Sequence, residues 1–144
     1  MLATFINHDA MKRTAGPQTA RQIYSEYEYL LSWDYHYWLH RGALELETDH
    51  LATAENFLRQ AKGIEPADVF VDNELAYLSF RKANQGAYTP DSEALVQEAI
   101  ATLNAIADRR ADQRPFVYHV MGSQGLLWAR KSRMSDIATS PRLE

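Results

Sequence analysis

Apolar residues in this chain recur every three or four positions, in stretches of about twelve to eighteen residues. This period matches one face of an α-helix, and no stretch alternates apolar and polar residues for long enough to form a strand. Glycine and proline interrupt helices, and the chain has only 6 and 5 of them among its 144 residues. The sequence therefore predicts an all-α chain of about six to seven helices, with short loops that make neighbouring helices antiparallel.

Short polar turns and helix breakers divide the chain into predicted helices. They are expected over residues 19–32, 35–47, 51–63, 67–84 and 92–110, with a sixth starting near Pro115. Gly63 stands where a helix C-terminus favours glycine, and Pro66 follows as a stop. Asp91 or Ser92 is expected to cap the fifth helix. Beyond Arg133 the chain is expected to fray.

The window from Tyr35 to Asp68 is thirty-four residues long and carries bulky and small residues at fixed places. Trp38, Gly42, Ala54, Leu58, Ala61 and Pro66 occupy its fourth, eighth, twentieth, twenty-fourth, twenty-seventh and thirty-second positions. Small residues at the eighth and twentieth positions let two antiparallel helices approach closely, and proline closes the second helix. This window resembles a tetratricopeptide repeat. Arg41 and Glu45 depart from the family pattern at the seventh and eleventh positions, where a large apolar residue is usual.

Two later windows continue the pattern less completely. In a second repeat, residues 69–114, Leu75 and Ala76 take the seventh and eighth positions. An insertion near residues 84–90 displaces its second helix. Beyond the insertion the small-large spacing returns at Ala99 and Leu103. The resemblance implies a right-handed α-solenoid of antiparallel helix-turn-helix repeats.

A half repeat over residues 115–131 follows, with Tyr118 and Gly122 at its fourth and eighth positions. The repeats together span residues 35–131. The flanking segments are residues 1–18, an N-terminal extension, 19–34, a capping helix, and 132–144, a partly disordered tail. The last two residues, Leu-Glu, resemble the remnant of an affinity tag, so the chain is expected to be a fragment of something longer.

In tetratricopeptide proteins, certain positions of each first helix line a concave ligand groove. The resemblance implies a groove of His36, Leu39 and Glu47 from the first repeat, Phe70, Asn73, Tyr77 and Arg81 from the second, and Phe116, His119 and Ser123 from the third. Aromatic residues and arginine are enriched at binding hot spots. The paired lysines and asparagines with which some members grip a terminal carboxylate are missing. We therefore expect a non-enzymatic scaffold that binds a protein or peptide segment.

Composition excludes several classes of function. The net charge is −4 and no block of lysine and arginine stands out, so nucleic acid is not an expected partner. The chain has no cysteine, which rules out disulfides, zinc-thiolate sites and a cysteine nucleophile. No apolar run approaches the roughly eighteen residues of a membrane span, and the N-terminus lacks the order of a secretion signal. We expect a cytoplasmic protein without a membrane partner.

His36 and His40 lie four residues apart, the spacing that places two imidazoles on one helix face, as a metal site requires. Glu47 lies about 16 Å from His36 along a helix axis, too far to complete the set. The glutamate that follows the first histidine in zinc proteases is also missing. We therefore expect no metal and no cofactor, with His36 on the groove and His40 at a helix interface.

The C-terminal end of the predicted solenoid lacks a second helix to cover it. Solenoids expose apolar surface at an uncapped end. Either Trp128 and its neighbours pack back on the preceding helix pair, or the open end binds another copy to give a homodimer, or the covering partner is missing from this chain. Two alternative functions stay open: a regulatory or sensor segment of a larger multidomain protein, such as a bacterial nucleotide hydrolase, and a small metal-dependent enzyme.

Overall fold

A computed structural model describes the backbone of residues 16–139 and the side chains of residues 16–136. Its helices are α1 (Pro17–Glu26), α2 (Glu28–Leu31), α3 (Tyr35–Glu47), α4 (Leu51–Ile64), α5 (Val69–Gln85), α6 (Pro90–Arg109) and α7 (Arg114–Thr139). A 3₁₀ turn, Ala111–Gln113, joins α6 to α7. The described residues contain no strand, so the all-α prediction is confirmed. None of the described helices is both long and apolar enough to cross a membrane.

The chain divides into two compact units, Met1–Glu74 and Leu75–Glu144, and the boundary falls within α5. In the first unit, local side-chain chemistry sets the helix ends. Asp34 caps α3, since its Oδ1 accepts a hydrogen bond from the backbone N–H of His36 at 3.0 Å. The turn after α3 contains Asp49 at φ 67°, a left-handed conformation that aspartate tolerates.

The α3–α4 hairpin is the best-packed element of the first unit. Gly42 of α3 lies against Leu58 of α4, and both residues are buried. Trp38, Ala54 and Ala61 are buried beside them. Pro66 is exposed and follows the end of α4, as expected of a stop. Gly63 lies in the last turn of α4 rather than beyond it, and it does not adopt the positive φ of a glycine cap.

The first predicted helix, residues 19–32, is in fact two helices that break at Tyr27. A tertiary contact lies beside the break, where the Tyr37 hydroxyl donates a hydrogen bond to the backbone carbonyl of Tyr24. That carbonyl would otherwise accept a hydrogen bond within a continuous helix. Tyr24 and Leu31 are both buried, one on each side of the break. Residues on both sides of the break thus belong to the buried part of the first unit.

In the second unit, α6 starts two residues earlier than predicted, at Pro90. Thr89 is its N-cap, and Ser92 forms the other half of a capping box. The prediction that Asp91 or Ser92 caps this helix is therefore wrong. Pro90 occupies the first helical turn, where its missing N–H has no helical partner in any case.

Trp128 of α7 packs back on its own unit. Its ring stacks on Tyr88 with centroids 5.1 Å apart, and its Nε1 donates to Glu93 Oε2 at 3.1 Å. Further along α7, the Lys131 ammonium donates to the backbone carbonyls at the end of α5. These carbonyls belong to Ala83, Asn84 and Gly86. Of the three alternatives for the C-terminal end, Trp128 therefore follows the first, in which it packs back on the preceding helices.

Two expectations for α7 need correction. Tyr118 and Gly122, predicted to pack within the half repeat, are exposed, and a Cβ atom on Gly122 would meet nothing within 4 Å. Among the residues of α7 whose side chains are described, Val117, Val120 and Trp128 are the buried ones instead. The tail predicted from residue 132 is helical as far as Thr139, and residues 140–144 lie outside the described part of the chain.

Three of the four packing residues predicted for the second repeat are buried. They are Ala76 of α5 and both Ala99 and Leu103 of α6. Leu75 is half-buried. The small-large spacing of α6 thus coincides with the side of that helix that is turned away from solvent.

Candidate functional site

An open groove of about 570 Å³ runs between α1 and the α3–α4 hairpin of the first unit. α1 contributes Gln18, Thr19, Arg21, Gln22 and Ser25, α3 contributes Arg41 and Glu45, and α4 contributes Thr53 and Phe57. The lining combines apolar surface with hydrogen-bonding groups, and it includes two guanidinium groups, one carboxylate and one aromatic ring. Such a surface offers both apolar contact and hydrogen-bonding groups to a ligand.

Glu45 is a charged residue at the base of this groove, and only 4% of it is exposed. Its Oε1 accepts a hydrogen bond from Arg21 Nε at 2.5 Å, and its Oε2 lies 3.0 Å from His50 Nδ1. Arg21 Nη2 also donates to Thr48 Oγ1 at 2.6 Å and lies 2.8 Å from His50 Nδ1. A buried carboxylate needs such partners, because its desolvation is otherwise too costly. This cluster ties α1 to the end of α3.

Arg41 lies on the same groove and is held by a different set of contacts. Its guanidinium carbon lies 4.3 Å from the centre of the Phe57 ring. Its Nη1 donates to Glu28 Oε1 at 2.8 Å and to the Tyr37 hydroxyl at 3.0 Å. Stacking on an aromatic face and pairing with a carboxylate both stabilise a largely buried guanidinium. Arg41 therefore contacts the Phe57 ring from a position where the tetratricopeptide pattern predicts a large apolar residue.

The sequence prediction did not include this groove. The signal that could have found it is the pair of departures from the tetratricopeptide pattern, since both Arg41 and Glu45 line the groove. A charged residue at a position that usually holds a buried apolar side chain needs a neighbouring residue of opposite charge. Glu45 finds Arg21 on α1, and Arg41 finds Glu28 on α2.

The first unit holds five of the residues predicted for the concave groove. His36 is exposed, with Nδ1 3.0 Å from Asp34 Oδ1. Glu47 is exposed, and Phe70 is 47% exposed. Leu39 and Asn73 are buried, so they offer no surface to a ligand in this arrangement.

The second unit holds the other five. Tyr77 and Arg81 of α5 form a preformed pair, in which Arg81 Nη1 donates to the Tyr77 hydroxyl at 3.1 Å. The guanidinium also lies 5.6 Å from the centre of the Tyr77 ring. On α7, Phe116 is half-buried, while His119 and Ser123 are exposed. Ser123 Oγ donates back to the His119 carbonyl at 2.8 Å.

Glu74 is a carboxylic acid that the sequence prediction also missed. Burial, and secondly the negative charge of Glu47, raise its pKa from 4.5 to about 7. The same Glu47 charge adds to burial and Tyr37 in raising the pKa of Tyr24. Glu47 is thus an exposed carboxylate whose negative charge contributes to the raised pKa of both Glu74 and Tyr24.

The two histidines of α3 differ in environment. Burial, and secondly the neighbouring His36, lower the pKa of His40. His36 packs its ring on Tyr35 with centroids 4.0 Å apart. Among the residues whose side chains are described, no group of three or more His, Cys, Asp or Glu side chains is placed to hold a metal ion.

Comparison with known proteins gives no relative. No protein-family model, curated protein or solved structure matches this chain. The resemblance to a tetratricopeptide repeat therefore rests on the sequence pattern alone, above all on residues 35–68.

Proposed function

We propose that this chain is a non-enzymatic, tetratricopeptide-like helical-repeat domain that binds a protein or peptide segment. The observation that carries the proposal is the α3–α4 hairpin, where Gly42 receives Leu58 between two antiparallel helices. Helices that pack this closely through small residues form the unit of a repeat scaffold, which presents its remaining faces to partners. A cytoplasmic setting is part of the proposal, since a chain without cysteine needs no oxidising compartment.

The surfaces offered to such a partner favour peptide recognition. The Tyr77–Arg81 pair holds an aromatic ring and a guanidinium in a fixed geometry before any ligand arrives. Preorganised groups of this kind lose little side-chain entropy on binding. In the first unit, the half-exposed Phe70 ring provides an apolar anchor, and the amide and hydroxyl groups along α1 can hydrogen-bond a peptide backbone.

A displayed peptide library tests the proposal. Peptides selected on the wild-type chain are titrated by calorimetry against Tyr77→Ala, Arg81→Ala and the control Arg59→Ala, an exposed arginine on α4. We expect at least tenfold weaker binding to the first two variants, about 1.4 kcal/mol, and unchanged binding to the control. Thermal unfolding by circular dichroism verifies that each variant folds. If Tyr77→Ala and Arg81→Ala both bind the selected peptides as wild type does, the assignment of the Tyr77–Arg81 surface is wrong.

A further inference from the structure

Three large apolar side chains are exposed together on α2 and the turn that follows it. Tyr29 is 79% exposed, Trp33 is 72% exposed and Leu30 is 44% exposed. Trp33 Nε1 donates to the Leu30 carbonyl at 2.8 Å, which fixes the indole against the helix end. We call Tyr29, Leu30 and Trp33 the aromatic patch. Exposed tryptophan and tyrosine held in one orientation are typical of binding hot spots.

The aromatic patch has an acidic surround. Glu26, Glu28 and Asp34 flank it, and the chain has no lysine or arginine between Arg21 and Arg41. Glu28 is partly neutralised by Arg41, while the exposed Glu26 accepts a hydrogen bond from an uncharged glutamine side chain. A partner for this patch therefore has to combine apolar and basic groups.

α7 presents such a combination on its outer side. Tyr118 is 64% exposed and Leu126 is 62% exposed, and Gly122 lies between them. We call Tyr118, Gly122 and Leu126 the α7 face. The two large side chains are about 12 Å apart along the helix axis. Because a Cβ atom on Gly122 would meet nothing within 4 Å, the space between the two side chains is open to a ring from outside.

The charges of α7 are opposite to those of the aromatic patch. Between residues 114 and 136 this helix has four cationic side chains and a single carboxylate, in a chain whose net charge is −4. Arg114 and Lys131 donate to backbone carbonyls of their own unit. Arg130 and Arg133 are exposed.

We propose that the chain self-associates by docking the aromatic patch of one copy on the α7 face of a second copy. Two aromatic patches would bring carboxylates together, and two α7 faces would bring guanidinium groups together. The mixed contact alone buries both apolar surfaces with opposite charges at the rim. Such a heterologous contact builds open chains or rings, or a two-fold dimer when both contacts form reciprocally.

Complementation between two variants tests this contact. Tyr29→Ala/Trp33→Ala removes the aromatic patch and keeps the α7 face. Leu126→Glu disrupts the α7 face and keeps the aromatic patch. Sedimentation velocity should show that the wild type self-associates and that each variant alone self-associates at least tenfold more weakly. An equimolar mixture of the two variants should form a one-to-one complex. Leu95→Glu, at an exposed leucine of α6, is the matched control and should associate as wild type does.

Acrylamide quenching gives a second readout, because Trp33 is exposed while Trp38 and Trp128 are buried. In the mixture, Trp33 of the Leu126→Glu chain should become protected. Arg130→Glu replaces Leu126→Glu if that variant does not fold by circular dichroism. A wild type that stays monomeric at millimolar concentration, a mixture that stays monomeric, or variants that associate as wild type does would each overturn the proposal. None of these results depends on peptide binding at Tyr77 and Arg81.

Discussion

Gly42 and Leu58 lie so close that a Cβ atom on Gly42 would be 2.7 Å from Leu58 Cγ and 3.3 Å from the Leu58 backbone nitrogen. Leu58 is fully buried, so its side chain cannot make room by moving out into solvent from its present position. Gly122 holds the corresponding position of the last predicted repeat, yet its surroundings are open. The same residue type therefore serves close packing in α3 but not in α7.

Gly42→Ala should destabilise the chain by about 1–3 kcal/mol, because an added methyl group overpacks the hairpin. This loss remains after the gain of up to about 1 kcal/mol that alanine brings to a helix interior. Gly122→Ala is the matched control and should show that gain alone. Urea denaturation followed by circular dichroism measures both free energies of unfolding. Equal effects of the two substitutions would mean that the helices of the hairpin are further apart than described.

Arg21→Ala should cost about 3 kcal/mol of the free energy of unfolding, because it leaves the buried Glu45 carboxylate without its main partner. The double variant Arg21→Met/Glu45→Leu should recover most of this loss, since apolar groups of similar size carry no desolvation penalty. Urea denaturation of Arg21→Met, of Glu45→Leu and of the double variant gives the coupling energy. The exposed pair of Glu55 and Arg59 is the control, and Arg59→Ala should cost less than about 1 kcal/mol.

Additive effects of the Arg21 and Glu45 substitutions would contradict this account of the cluster. His50 provides a further check, because its Nδ1 can accept from Arg21 when neutral and donate to Glu45 when protonated. His50→Ala should therefore cost less than Arg21→Ala. The exposed imidazole is the secondary partner of Glu45 in this arrangement.

Glu74 should make the free energy of unfolding fall as the pH rises. Its pKa is about 7 in the folded chain against an ordinary value of 4.5, so between these values the folded chain holds a proton that the unfolded chain releases. The loss reaches up to about 3 kcal/mol by pH 7. Glu74→Gln removes this dependence, so the stability of the variant relative to wild type should increase from pH 5 to pH 8.

Urea denaturation at several pH values measures the difference between Glu74→Gln and wild type, in which the contributions of the histidines cancel. Glu47→Gln should weaken the pH dependence, because it removes the negative charge that adds to the effect of burial. Glu98→Gln, at an exposed carboxylate of α6, should follow the wild-type profile. Parallel curves for Glu74→Gln and wild type would show that Glu74 is ionised in the folded chain.

Most helices could be predicted because the features that start and end them lie close together in the sequence. The apolar spacing and the polar turn at residues 48–50 gave the bounds of α3 correctly, and those of α4 within one residue. The break at Tyr27 was not predicted, and the contact beside it, between a hydroxyl of α3 and a carbonyl of α1, joins residues of two different helices. The start of α6 was missed for a different reason, because Thr89, Asp91 and Ser92 are all residue types that cap helices, and the sequence alone does not rank them.

The candidate site was harder to predict than the helices. The repeat frame placed Tyr118 and Gly122 inward, but α7 is apolar on two sides, and Val117 and Val120 define the buried one. The raised pKa of Glu74 could not be predicted from the sequence, because it depends on burial and on the charge of Glu47, which lies on another helix. The sequence showed Arg41 and Glu45 as departures from the repeat pattern, but it did not show which helices supply their counter-charges.

The contacts of Lys131 set a lower limit on the length of a stable second unit. Its three N–H donors meet the backbone carbonyls with which α5 ends, so an ammonium on one helix serves as the C-terminal cap of another. A truncation that stops at Arg130 would keep Val117, Val120 and Trp128, the buried apolar residues of α7 up to residue 136, and still uncap α5. Shortened forms for crystallisation or binding assays should therefore extend past Lys131, although the repeat pattern ends there.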